Sequence, residues 1–250
     1  MSQFKDHFSG HADLYREARP TYPDALFDWL AAQAPDRALA WDCGCGNGQA
    51  SVALARHFDR VVATDPSANQ IADAEPRANI DYRVEPAERS SLADASASLV
   101  TVAQALHWFD FAAFYAEVRR VLKPGGVFAA WAYAACGTGE AAIDGVIEHL
   151  YGDALTGPHW PQERAYVDAG YRTIPFPFAA IDAPEFPMIM RWNVDQLLAY
   201  LRSWSATQRY IKANGEDPVG IVEPDLRVAW GDPPRVREVC WQFHLLAGRV

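Results

Sequence analysis

Trp41–Ser51, WDCGCGNGQAS, is the stretch on which the fold turns. It lies where a short apolar run, 38–44, meets a segment with apolar residues at helical spacing, 49–58. That order predicts a buried strand, a tight loop and a helix. Gly44, Gly46 and Gly48 fall at alternate positions in the loop. Without Cβ atoms they let the backbone turn sharply and come close to a ligand. The start of the helix adds N–H groups that have no partner within the helix. Cys43 and Cys45 fill the gaps as C-x-C. No second pair and no histidine cluster accompanies them, so they are expected to be small loop residues, and no metal is expected.

Downstream, strand and helix patterns alternate. RVVATD (60–65) reads as a second strand. The helix 67–75 opens on Ser67, a good N-cap. Strands are expected at 79–85, 98–106 and 126–133, with an amphipathic helix at 111–122 stopped by Pro124-Gly125-Gly126. This alternation predicts an α/β fold: a doubly wound, Rossmann-like, mostly parallel sheet with helices on both faces. The second half is richer in proline and aromatic residues. It carries helical patterns at 141–152, 194–204 and 218–231, the last with Pro224 as a break point, and a closing strand at 236–248.

The bulk numbers narrow the partners. The chain has 250 residues, 22 Lys plus Arg against 32 Asp plus Glu, and a net charge of −10. A field of that sign repels phosphate backbones, so no nucleic-acid partner is expected. No apolar run is long enough to span a bilayer, and MSQFKDHFSGH has no apolar leader. A cytoplasmic protein, monomer or homodimer, is expected. The four cysteines, at 43, 45, 136 and 240, are then thiols.

A dinucleotide fingerprint would read G-x-G-x-x-G, but Gln49 occupies the third glycine position. The pattern present, acid-x-Gly-x-Gly-x-Gly, resembles motif I of the class I S-adenosylmethionine-dependent methyltransferases. Asp65, ending the second strand about 20 residues on, is placed to accept hydrogen bonds from ribose hydroxyls. PAERSSLADASASLVTVAQALHWFD (86–110) and EVRRVLKPGG resemble later segments of that family. YREARPTYP (15–23) and AQALHWF resemble the trans-aconitate methyltransferase-like branch of the type 11 methyltransferase group.

The resemblance implies S-adenosylmethionine as cofactor, S-adenosylhomocysteine as product and a small-molecule acceptor, a carboxylic acid among the candidates. It implies a seven-stranded sheet with the last strand antiparallel and a helical cap inserted after the fifth. The organisation implied is a single domain over 1–250: N-terminal lid helices in 1–36, a cofactor-binding core over 37–133, a cap over 134–235 with a sixth strand near 184–192, and a final strand over 236–250. Asp42, Gly44, Gly46 and Gly48 would hold the methionine part, and Asp65 with Pro66 the ribose. Ala87, Glu88 and Gln70 would lie by the adenine, and Gln104 and Ala105 by the methionine. Pro86 stands where many relatives have an aspartate, leaving mainly backbone contacts to the adenine amine. Tyr15 and Arg19 would close over the cofactor.

His107-Trp108 follows the fourth strand, where an acceptor could reach the methyl group. His107 is the candidate general base, set against a purely structural role. Trp108, Trp131, Trp204 and Arg209 are candidate acceptor contacts, with Trp192, Trp241, Arg191 and Arg202 weighed beside them. The alternatives are an NAD-dependent oxidoreductase, a protein that binds the cofactor without turnover, and a methyltransferase of RNA or protein.

Overall fold

The computed structural model describes residues 19–250. Five strands run parallel in the order β3-β2-β1-β4-β5: β1 (Leu39–Cys43), β2 (Arg60–Asp65), β3 (Ile80–Val84), β4 (Ala97–Ala103) and β5 (Leu122–Gly137). β8 (Arg237–Arg249) lies antiparallel to β5. β6 (Ala179–Ala180) and β7 (Met188–Trp192) both pair antiparallel with β8. The sheet therefore has eight strands, one more than expected. The extra one, β6, has two residues, too few to leave a periodic signal. β7 falls within the expected segment 184–192 and pairs with the first half of β8, while β6 pairs with its end.

β1 and β4 are buried on both faces, as central parallel strands are. Their apolar runs are covered by helices from either side. On one face α1 (Asp24–Gln33) sets Leu26, Phe27 and Leu30 against Ala40, Val61, Leu99 and Val127, together with Leu54 of α2 (Gln49–Leu54). On the other, α4 (Phe111–Val121) sets Phe114, Val118 and Val121 against Trp41, Val100 and Phe128. α1 is thus a core helix and not a lid. α3 (Ala68–Ala72) is a short turn capped by the Ser67 hydroxyl, which accepts from Gln70 N.

After β5 come α5 (Ala141–Tyr151), α6 (Arg164–Asp168), α7 (Val194–Arg202), α8 (Ser205–Asn214) and α9 (Pro218–Trp230). Ile143, Ile147, Leu197, Leu201, Val222 and Leu226 form a core of their own with Trp192 and Trp241. Pro224 does not break α9. Burial of Val219, Val222, Leu226 and Trp230 outweighs one missing hydrogen bond. α6 and α8 are additions to the expected elements. β5 begins at Leu122, so the Pro-Gly-Gly turn lies within the strand's span and not before it. Among the described residues no helix is long and apolar enough to cross a membrane.

Candidate functional site

β1 is flanked by β2 on one side and β4 on the other, so consecutive connections leave it in opposite directions. A crevice opens at the carboxyl ends of strands at such a switch point. Here it is a cavity of about 850 Å³.

Its floor is the glycine loop. The N–H groups of Gly44 and Cys45 both donate to Thr64 O, at 2.8 and 3.0 Å, which folds the loop across the end of β2. Gly44, Gly46 and Gly48 have φ of +67°, +55° and +87°, values that L side chains resist. A Cβ on Gly44 would lie 2.7 Å from Ala105 Cβ and 2.9 Å from Phe109 Cζ, so the loop is pressed against the segment after β4. Gly44, Cys45, Gly46 and Asn47 line the cavity; Gly48, at the start of α2, does not.

Asp65 lies on the cavity wall and is 8% exposed. Its Oδ2 accepts from Gly46 N and its Oδ1 from Ser67 N, both at 2.9 Å. One carboxylate thus ties the glycine loop to the end of β2 and still faces the cavity. Asp42 is different. It is fully buried, takes no part in the cavity wall, and accepts from Ser51 Oγ at 2.5 Å and Thr101 Oγ1 at 2.9 Å. Burial pushes its carboxyl up to about 6, against the lowering effect of those two hydroxyls. The expected direct contact of Asp42 with a ligand is corrected: it braces β1, α2 and β4 beneath the loop.

The remaining wall comes from Pro66, Ser67 and Gln70 after β2, Pro86, Ala87 and Glu88 after β3, and Gln104, Ala105, Trp108 and Phe109 after β4. Gln104 has φ +56°; its N–H donates to Trp131 O and its Nε2 to Tyr133 O, so its backbone is held in the left-handed region from β5. Arg19, Tyr22, Tyr133, Glu163 and Arg209 close the cavity from the N-terminal and cap sides. Tyr15 lies outside the described residues.

A smaller chamber of about 70 Å³ shares Arg19, Gln104, Trp108, Tyr133 and Pro161 with the main cavity. His107, Trp160, Arg164, Tyr200 and Trp204 complete much of its wall. No Asp or Glu lines it among the described residues. Arg19 donates to Tyr133 Oη at 3.2 Å and to Ser203 O at 3.1 Å, bridging β5 and the cap. Arg164 stacks on the Trp160 ring at 4.5 Å. His107 is 8% exposed, and its Nδ1 lies 2.9 Å from Tyr171 Oη. Burial, helped by the Arg164 charge, pushes the imidazole down to about 3. A neutral imidazole so reluctant to bind a proton is a poor general base at pH 7, which runs against the expected base role.

Trp131 is likewise corrected. It is fully buried under the sheet, edge-on to Tyr22 at 5.5 Å and Phe27 at 6.1 Å, and lines neither space. Trp192 and Trp241 pack on each other at 5.1 Å in the cap core. Arg202 is committed to Asp217 and Glu223, and Arg191 lines neither space. Of the three weighed arginines, only Arg209 reaches the cavity, donating to His159 O at 3.3 Å. Tyr133, Trp160, Glu163 and Arg164 line these spaces without a local signal in the sequence, and Gln49, marked there only as a missing glycine, lines the cavity too. Gln49 alone had a local signal: it follows the glycine loop directly, and its Nε2 donates to Pro20 O. Among the described residues no cluster of His, Cys, Asp or Glu could hold a metal, and Cys43, Cys45 and Cys136 are buried free thiols.

The donor set suits a nucleoside carrying a cationic tail. The Asp65 carboxylate on the wall is placed to accept from ribose hydroxyls, a side-chain-free loop admits close backbone approach, and Pro86, Ala87 and Phe109 offer apolar wall. The model of the family described as "Methyltransferase domain" matches residues 41–130, from the glycine loop to β5. A Dictyostelium discoideum protein described as a methyltransferase is 33% identical over 92% of this chain and 88% of its own length. An Anaeromyxobacter dehalogenans structure described as a type II methyltransferase is 45% identical, covers 92% of this chain and 97% of that one, and superposes with a TM-score of 0.85. A Saccharomyces cerevisiae protein described as an S-adenosylmethionine-dependent methyltransferase is 30% identical over 48% of this chain and 49% of its own. These matches set aside the nicotinamide and non-catalytic alternatives. The chain belongs to the class I S-adenosylmethionine-dependent methyltransferases, and S-adenosylmethionine is its cofactor.

Proposed function

We propose that the enzyme methylates a small carboxylic acid, held in the chamber between Trp108 and the cap. The single observation that carries this reading is the chamber's charge. In a chain of net charge −10 it is lined by Arg19 and by Arg164, whose Nε pairs with Asp168 outside the lining, and by no acid among the described residues. Its aromatic walls suit the apolar part of a small acid. The resemblance of 15–23 and of the His107-Trp108-Phe109 run to the trans-aconitate methyltransferase-like branch supports an acid as well. The protein's overall negative charge favours a small molecule over nucleic acid.

In this reading Asp65 accepts from the ribose hydroxyls, with Pro66 beside it. Gly44, Gly46, Gln104 and Ala105 surround the methionine part, and Gln70, Ala87 and Glu88 flank the adenine. The cofactor supplies an activated methyl group on a sulfonium. The protein aligns the acceptor oxygen for in-line displacement, and alignment alone is worth up to about 7–11 kcal/mol. A carboxylate is ionised at neutral pH, so no general base is required, which agrees with the neutral, engaged His107. The aromatic wall limits water around the acceptor.

The test is a panel of small aliphatic and aromatic acids, with matched amines, phenols and alcohols, assayed for labelled methyl transfer. Methyl esters from one or more acids, and no product from the matched amines, are expected. Turnover of amines or phenols with none of acids would overturn the acceptor assignment.

A further inference from the structure

His107 and Trp160, two side chains with ring N–H groups, line the chamber. Neutral histidine carries one proton on either ring nitrogen, and the partner of one nitrogen fixes the other. His107 Nδ1 is 2.9 Å from Tyr171 Oη. Of these two groups the phenol hydroxyl is much the stronger acid and the neutral imidazole nitrogen much the stronger base. The Tyr171 hydroxyl therefore donates to Nδ1 across this 2.9 Å contact. His107 then carries its proton on Nε2, the nitrogen for which no partner is found among the described residues. The second group is Trp160 Nε1, buried without a hydrogen-bond partner. A buried donor left unpaired costs about 1–3 kcal/mol, so a ligand that accepts from it is favoured.

Tyr171 is built for this task at some cost. It is 1% exposed and has φ +59°, a conformation that a bulky residue avoids, and it follows Gly170 at φ +61°. Its N–H donates to Tyr166 O at 2.8 Å, which holds the strained turn on α6. The charged and titratable groups that line the chamber with His107 are Arg19, Arg164, Tyr133 and Tyr200, with Tyr171 behind it. Arg19 and Arg164 carry donors alone, and the Tyr133 and Tyr200 hydroxyls already accept from Arg19 and from Trp241 Nε1.

Resting on the carboxylic-acid reading above, we propose that His107 is a fixed hydrogen-bond donor to the acceptor's carboxylate through Nε2–H, and that Tyr171 is the positioning residue that sets this tautomer. Trp160 Nε1–H is the second neutral donor of the same subsite, with Arg19 and Arg164 supplying charge. The subsite recognises an oxygen anion attached to an apolar body.

The experiment is ring-nitrogen NMR on ¹⁵N-histidine-labelled full-length protein saturated with S-adenosylhomocysteine, which has no methyl to transfer. His107→Gln identifies the His107 signals among the seven histidines. The probe is benzoate, with benzylamine and inorganic phosphate as comparisons. The expected result is an Nε2–H tautomer at pH 7 that stays neutral down to pH 5. Benzoate shifts Nε2 and its proton and leaves Nδ1 in place, while benzylamine and phosphate do neither. His107→Phe weakens benzoate about tenfold or more, and His107→Gln, which keeps a donor, recovers most of that loss. In Tyr171→Phe, with folding checked by its thermal melt, Nδ1 loses its fixed partner and both tautomers are populated. An Nδ1–H tautomer in the wild type, an imidazolium forming near pH 6.5, or benzoate affinity equal in His107→Phe would overturn the proposal. Preference for phosphate would overturn the carboxylate. Nε2 shifts without methyl esters from the acid panel would sink the proposed function and leave the donor assignment standing; esters without Nε2 shifts would do the reverse.

Discussion

Gly44 carries two constraints at once, and they can be separated. Its φ of +67° disfavours any L side chain, and its missing Cβ leaves room for Ala105 and Phe109. Gly125 shares the first constraint, φ +76°, but a Cβ there would meet nothing within 4 Å. Gly125→Ala is therefore expected to cost about 1–2 kcal/mol, the strain alone. Gly44→Ala adds about 1–3 kcal/mol of overpacking. Equal denaturation midpoints for the two variants would show that the loop is not pressed against the segment after β4. Asp42 offers a second test at this scale. Its carboxyl is raised from 3.8 to about 6, so between those values the native state holds a proton that the unfolded chain has lost. The stability Asp42 contributes is present below pH 4 and is lost as pH rises through about 6. Asp42→Asn cannot ionise, and relative to the wild type it should gain up to about 3 kcal/mol between pH 4 and pH 7. Urea unfolding at both pH values measures this, and an unchanged difference between the proteins would contradict the buried, raised carboxyl.

At the scale of elements, α7 depends on its first turn. Asn193 accepts from Gln196 N at 3.0 Å, and Gln196 Oε1 accepts from Asn193 N at 2.9 Å, a reciprocal cap. Asn193→Ala should destabilise the protein by about 1 kcal/mol, seen as a lower unfolding midpoint with unchanged denaturant slope. The strand–loop–helix unit around Gly44 was legible in the sequence because each part has its own local signal: an apolar run, alternating glycines, then a period near 3.6. Asp65 was legible by its distance along the chain and its place at a strand end. Trp131 was misread because β5 is buried on both faces, so no alternation distinguishes the side toward the cavity from the side toward α1. Asp42 was misread because the motif states which residue is needed and not which way it points. Trp160, Arg164 and Tyr171 were invisible for another reason. They lie on the five-residue α6 and the turns around it, too short for periodicity, and only the tertiary fold brings them to His107.

Across the whole molecule, charge and shape divide the labour. Among the described residues of this chain of net charge −10, two arginines and no acid line one small chamber. The larger cavity has Asp65, Glu88 and Glu163 on its wall beside Arg19 and Arg209, so it carries both signs. The sheet supplies the rigid part of this arrangement, since the cavity floor is made of strand ends locked to one another by Gly44, Cys45 and Asp65 hydrogen bonds. In the proposed reading the acceptor is chosen where cap residues Trp160, Arg164 and Trp204 meet Gln104, His107 and Tyr133 of the core. The central claim is that the cofactor is held at this floor by the Asp65 carboxylate and the glycine loop. The most direct measurement is calorimetric titration of wild type and Asp65→Ala with S-adenosylhomocysteine, each checked for its thermal melt. Micromolar binding by the wild type and a loss of about a hundredfold in the folded variant are predicted, the value of two hydrogen bonds to a charged acceptor. Equal binding by both proteins, or none by a folded wild type, would contradict the account.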